Sequence, residues 1–271
     1  MTIKSGFQIT VISENKVYRE KLLAEHGLSL WLKIYDKNYL FDTGQGLAVK
    51  YNLEQLEYDI NNLDGIILSH GHYDHTGGLK QILKSNSEIP VYGHPDIFTP
   101  KYSGTNLKGV DFSKKDITNF IPVKSKTVID DNLWLAGEVP METEFEKLNK
   151  KYKVKDGEKL KVDSFKDDQP LVIETPAGLV IISGCCHTGL VNNIKYIKEI
   201  SDNSTIHAVI GGFHLKNADN ERMAKTIEYL KKIQFDMIVP MHCTGLGFQN
   251  QLLDRFGEKV SLVSVGDSIL L

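Results

Sequence analysis

Apolar and polar positions alternate at a short period early in the chain and settle into helical spacing later. Phe7 to Ile12, Leu28 to Ile34 and Tyr39 to Phe41 read as strands. The last runs into Asp42-Thr43-Gly44, a turn by composition, so antiparallel hairpins are expected. A helix is predicted from about Leu47 to Leu56. Gly65 to Ser69 then forms a short apolar strand of the kind buried on both faces, and it stops at His70. Gly78 to Leu83 begins a helix, Ile89 to Tyr92 a strand, and Ile121 to Leu135 holds two or three short strands. Leu171 to Ile173 and Leu179 to Ser183 make a hairpin through Thr175-Pro176-Ala177-Gly178. Helices at Leu190 to Ile200, Asn220 to Ile233 and Leu246 to Phe256 alternate with strands at Ile206 to Ile210 and Met237 to Pro240. Closing strands are expected at Val260 to Val263 and Ser268 to Leu271. Strands first, then strands alternating with helices, predict an α/β fold of two sheets packed together with helices on the outer faces.

No proline-rich or low-complexity linker divides the sequence, so residues 1–271 are expected to form a single domain. The one compositional shift is Met141 to Asp168, where charged residues are in the majority. It reads as a solvated surface insertion, with a mobile lid as the alternative. A chain with 41% hydrophobic and 25% charged residues has the composition of a soluble globular protein, which excludes disorder, collagen and coiled coil as whole-chain descriptions. A formal charge of −3 gives no basic field for nucleic acid or anionic lipid, and no basic patch interleaved with aromatics appears. No segment reaches 18 uninterrupted apolar residues, and Met1 to Gln8 lacks the apolar core of an export signal. Of three cysteines, Cys185 and Cys186 are adjacent, a poor disulfide framework. A cytoplasmic protein with a small-molecule partner is the expectation; its oligomeric state is left open.

The chemistry concentrates in His70-Gly71-His72-Tyr73-Asp74-His75, directly after the buried strand and before Thr76-Gly77-Gly78. Three imidazoles and a carboxylate in six residues are donors that suit zinc, iron or manganese, and a strand-to-helix loop can aim them at one point. Other histidines also stand where apolar strands end. Ser183-Gly184 leads into Cys185-Cys186-His187, Gly211-Gly212-Phe213 into His214, and Pro240-Met241 into His242. Each alone reads as a structural histidine; together they read as one site built on strand ends. Asp42 is either a turn former or a buried carboxylate that orients a ligating histidine.

Asp42-Thr43-Gly44, the His70 to His75 loop, His187 and His242, in this order, resemble the metallo-β-lactamase superfamily. Glu25-His26-Gly27-Leu28, Ser183-Gly184-Cys185-Cys186-His187, Gly211-Gly212-Phe213-His214 and His242-Cys243-Thr244-Gly245 resemble a narrower branch of it. That branch includes archaeal enzymes that join a dihydropterin to a ribofuranosyl-aminobenzene phosphate. The resemblance implies an αββα sandwich with two divalent metal ions, zinc first, iron or manganese as alternatives. His70, His72 and His187 would hold one ion, and Asp74, His75 and His242 the other. The family's bridging aspartate is replaced by Cys185, which bridges as a thiolate or leaves the bridge to solvent. The usual third histidine before that strand is missing; Glu138 lies near where it would stand, and His187 would take over its role. His72, where the flavin-partnered iron branch has Glu, favours hydrolysis or group transfer. The implied activity is hydrolysis of a phosphate ester or diphosphate-type small molecule through a metal-bound hydroxide, with Asp74 orienting it and His214 and His26 contacting substrate. Alternatives are a dihydropterin-diphosphate-using synthase, with Phe213, Tyr73, Phe248 and Trp134 as a pterin pocket, and a non-enzymatic metal-binding protein.

Overall fold

The structure, a computed structural model, describes residues 6–271; most of the Met1 to Gln8 segment read for an export signal lies outside them. It divides into two compact units. The first comprises the chain up to Pro122 with Tyr152–Lys161 and Val263–Leu271. Its strands are β1 (Phe7–Ser13), β2 (Ser29–Ile34), β3 (Lys37–Phe41), β4 (Gly65–Ile67), β5 (Val91–Gly93), β6 (Lys101–Ser103), β7 (Asn106–Leu107), β8 (Phe120–Pro122), β11 (Tyr152–Asp156), β12 (Lys159–Val162) and β17 (Ser268–Leu270). Seven form a mixed sheet in the order β17-β1-β2-β3-β4-β5-β8. The β17, β1, β2 and β3 neighbours pair antiparallel, and β3, β4, β5 and β8 pair parallel. Helices α1 (Val49–Gln55), α2 (Tyr73–Thr76) and α3 (Leu79–Leu83) follow β3 and β4. Val49, Leu53, Leu79 and Ile82 pack against Ile12, Trp31, Leu40, Ile66 and Val91 of the sheet. The intervening residues Val11, Leu30, Leu32, Phe41 and Ile67 are also fully buried, so this sheet is apolar on both faces.

The second unit holds β9 (Thr127–Asp130), β10 (Leu133–Leu135), β13 (Leu171–Thr175), β14 (Gly178–Ser183), β15 (Ile206–Gly212) and β16 (Met237–Met241), in the order β16-β15-β14-β13-β10-β9. Here β9, β10, β13 and β14 are antiparallel, and β14, β15 and β16 run parallel. Helices α4 (Leu190–Ile200), α5 (Asn220–Lys232) and α6 (Leu246–Phe256) are the crossovers and the final cover. In α4, Leu190, Ile194 and Ile197 recur at helical spacing and bury against Leu179, Ile181, Val209 and Ile238. Each such side chain contributes about 1.5–3 kcal/mol on leaving water. The architecture is thus two mixed sheets with helices, the α/β class read from the sequence.

Three expectations change. Val260 to Val263 is no strand: Val260 makes only an isolated bridge to Ile238. The charged 141–168 stretch is not uniformly surface, since Glu146, Asp163, Phe165, Asp167 and Asp168 are buried while β12 is exposed throughout. It also supplies β11 and β12 to a second sheet of the first unit, ordered β12-β11-β6-β7, none of which the periodicity predicted.

Candidate functional site

The first unit places its candidate residues where β3 and β4 end. Asp42 leaves β3 with φ +57 and is fully buried, a conformation in which Asp carries less strain than branched residues. Its Oδ1 accepts the Ser69 N–H at 2.7 Å, and its Oδ2 accepts the Ser69 hydroxyl at 2.7 Å and faces His75 Nδ1 at 2.7 Å. A carboxylate against Nδ1 places a proton on that nitrogen, while His75 Nε2 lies 4.0 Å from Asp74 Oδ2. The same logic reaches His70. Ser69 Oγ has given its one proton to Asp42, so it accepts from His70 Nδ1 at 2.9 Å, and His70 Nε2 carries the lone pair, 3.0 Å from His72 Nδ1. Burial, reinforced by the neighbouring His75 and His72, holds His70 well below the ordinary imidazole pKa. Neutral imidazole is the form that binds metal.

The surrounding loops clamp this segment. Thr43 donates its N–H at 2.6 Å and its hydroxyl at 3.0 Å to the His75 carbonyl. Leu28 N–H donates to the Asp74 carbonyl at 3.2 Å, which brings His26 Nε2 to 3.3 Å from Asp74 Oδ2. His26 is 54% exposed and Asp74 is 11% exposed at the side chain, so the pair links the buried loop to solvent. Glu25, buried one residue earlier, accepts from the Ser13 hydroxyl and from the N–H groups of Gln45, Leu47 and Ala48 at 2.8–3.1 Å. Gly44 makes this possible: it has φ +61, and a Cβ there would lie 2.2 Å from Glu25 Oε1. Tyr152 of β11 brings its ring to 5.4 Å from the His72 ring, and Lys101 of β6 is buried with its charge felt at His70.

The second unit places its candidates at the carboxyl ends of β14, β15 and β16, which parallel pairing sets side by side. Cys186, His214 and His242 all have positive φ, of +62, +48 and +46, a concentration of backbone strain found where geometry serves a site. The adjacent cysteines part company. Cys186 joins the helix-facing core with Leu190 and Ile194, where burial pushes its thiol well up, whereas Cys185 is grouped with His214 and Cys243. His187 lies flat on Phe165, ring centres 4.0 Å apart, its ring is 4.2 Å from that of His214, and its N–H donates to Asp168. Burial opposes ionisation of Cys243. Hydrogen bonding with Cys185 and His214, and the charge of His242 and His214, outweigh it and draw the thiol well below its usual value.

The first unit therefore brings His26, Asp42, His70, His72, Asp74 and His75 together, and the second does so for Cys185, His187 and His214, with His242 at the neighbouring strand end. Glu138 is turned to Lys166 at 3.6 Å on the surface of the second unit. The expected pterin pocket is corrected: Phe213, Phe248 and Trp134 sit inside the helix-facing core, where their size fills the sheet–helix interface. Sequence reasoning missed Ser69, Lys101, Tyr152, Phe165 and Asp168 and gave Glu25 no role. Their partners are distant in sequence, and the only available signal was the Glu25-His26-Gly27 motif itself.

The model of the metallo-beta-lactamase superfamily matches residues 25–184. A 7,8-dihydropterin-6-methyl-4-(beta-D-ribofuranosyl)-aminobenzene-5'-phosphate synthase from Methanocaldococcus jannaschii is 34% identical, over 96% of this chain and 95% of its own. A crystallised metal-dependent hydrolase of the beta-lactamase superfamily superposes with a TM-score of 0.87 at 28% identity, over 98% of this chain and 99% of its own. Zn2+-bound PqqB from Methylobacterium extorquens shares the fold at a TM-score of 0.61 and 11% identity, over 97% of this chain and all of its own.

Proposed function

Since this chain belongs to the metallo-β-lactamase superfamily, we propose that it is a metal-dependent hydrolase of a small phosphorylated molecule, a phosphate ester or diphosphate. The observation that carries the reading is the Asp42–Ser69 relay, which engages Nδ1 of both His70 and His75 and fixes the two rings in orientation. A purely structural loop has no use for two buried imidazoles oriented through their Nδ1 atoms; a divalent cation does. The donors fit two such ions, with zinc suited to the nitrogen-rich set. The first unit offers His70, His72, Asp74 and His75; the second offers His187 and His242. When bound, divalent metal supplies Lewis acidity at a phosphoryl oxygen and lowers the pKa of water toward about 7. The protein's own groups supply orientation and proton transfer. Asp74 accepts and positions a proton through Oδ2, and His26, half in solvent beside it, passes that proton to bulk water.

The 34% identity to a synthase favours one second reading, in which an amine acceptor takes the place of water. Measuring phosphate and diphosphate release from a panel of esters and pterin diphosphates, with and without an arylamine acceptor, separates the two. Release without acceptor is expected; release only when the acceptor is present would establish the synthase instead. Full metal occupancy with no turnover of any substrate would leave a metal-binding protein.

A further inference from the structure

We propose that Cys185, Cys243 and His214 form a binding site for a thiophilic cation such as Zn2+, built entirely within the second unit. The site goes beyond the proposed hydrolysis and stands whether or not that reaction is the right one. A sulfur of each cysteine and one ring nitrogen of His214 lie within 4.8 Å of one another. Two thiolates and an imidazole are soft and borderline donors that select Zn2+, Cd2+ or Cu+ over Mg2+ and Mn2+, unlike the imidazole–carboxylate set of the first unit.

The grouping is held in place by the backbone. Cys185 follows β14 and Cys243 follows β16, so the end of β15 runs between them. That end is Gly211-Gly212. A Cβ on Gly212 would stand 2.8 Å from Cys243 Sγ and 2.3 Å from the Gly184 carbonyl, so a bare backbone is what lets the two sulfurs approach across the strand. Cys243 Sγ accepts the His214 N–H at 3.3 Å and lies 3.5 Å from the Cys185 carbonyl. Thr244 ties the same two loops together, its hydroxyl accepting from Phe213 N–H at 3.0 Å. Cys185 is buried, whereas His214 and Cys243 are partly exposed, so an ion has a way in. The cation binds both sulfurs as thiolates, and any thiol proton still present is released to solvent. Three protein donors leave the fourth tetrahedral position to water or to a ligand.

The experiment uses full-length protein, stripped of metal and kept reduced, titrated with Cd2+. Thiolate-to-cadmium charge transfer in the ultraviolet and sulfur coordination by X-ray absorption are read for the wild type, Cys243→Ser and His72→Ala. The proposal expects sulfur coordination from both cysteines in the wild type, unchanged in His72→Ala. It expects the loss of one sulfur, with affinity about tenfold or more weaker, in Cys243→Ser, which keeps an acceptor for the His214 N–H. Identical sulfur coordination in wild type and Cys243→Ser would overturn it, as would the absence of any charge-transfer band. A second measurement needs no variant: alkylation of Cys243 by iodoacetamide, followed by peptide mass spectrometry, should slow at least tenfold with Cd2+. Equal rates with and without the ion would overturn the proposal independently.

Discussion

At the scale of single residues, Asp42 governs the first unit's donors without being one of them. One carboxylate fixes the Ser69 backbone, the Ser69 hydroxyl and His75, and through Ser69 it sets the tautomer of His70. Asp42→Asn keeps the left-handed turn, because Asn tolerates that conformation, but replaces the charge. Metal affinity measured by competition with a chromophoric chelator should fall about 10–100-fold, with only a modest change in the unfolding midpoint. An unchanged affinity would separate Asp42 from the donors. Gly44→Ala tests the neighbouring constraint. Its Cβ would enter the space of Glu25 Oε1, and we expect a loss of about 1–3 kcal/mol in denaturant unfolding. The spacing of His70, His72, Asp74 and His75 was legible because local sequence alone determines it. Glu25 was not, since its four partners lie 12 to 23 positions away and only the folded chain brings them together.

At the scale of elements, the loops that carry chemistry are stabilised by buried acidic side chains from elsewhere. Glu146, out of the charged stretch, accepts the N–H groups of Val191 and Asn192 at 2.9 and 2.8 Å and the Thr143 hydroxyl at 3.1 Å, capping the first turn of α4 just beyond His187. Glu146→Ala orphans these donors and should cost about 1–3 kcal/mol in urea unfolding. Burial is the main influence on its pKa and raises it above the usual 4.5, against the hydrogen bonds that favour the carboxylate. A raised folded-state value means that stability present below pH 4.5 is lost as pH rises through the folded value. Glu146→Gln, which keeps an acceptor and cannot ionise, should therefore gain on the wild type as pH increases across that window. A constant difference between the two unfolding curves would contradict this. Helices α4 and α6 were read from the sequence to the residue because their apolar stripes are unambiguous. β11 and β12 were not. Lys153-Val154-Lys155 and Lys159-Leu160-Lys161 do alternate, but Leu160 and Val162 stay exposed, and a strand that buries little leaves a weak pattern.

At the scale of the whole chain, each unit repeats one plan: antiparallel strands, then parallel strands whose carboxyl ends carry the histidines. That placement is why the family was legible from a handful of motifs, while pocket-forming residues, set by loops that meet only on folding, were not. Exhaustive chelation should abolish turnover, and Zn2+ should restore it; activity that survives with no metal detectable by elemental analysis would remove metal from the proposed chemistry.

The contrast between two thiols of the second unit, Cys186 and Cys243, gives this protein a built-in pair of clocks. Cys186, sealed beneath α4, can meet a thiol reagent only when the helix layer opens, whereas Cys243 is partly exposed in the closed state. Under conditions where closing outpaces labelling, the Cys186 rate, divided by that of an unstructured thiol, reads the opening equilibrium of this layer directly. Ligands that stabilise the second unit will slow Cys186 whether or not they touch sulfur, and those that bind the thiols will slow Cys243 beyond what that opening accounts for. One labelling time course then separates a ligand that tightens the fold from one that occupies the site.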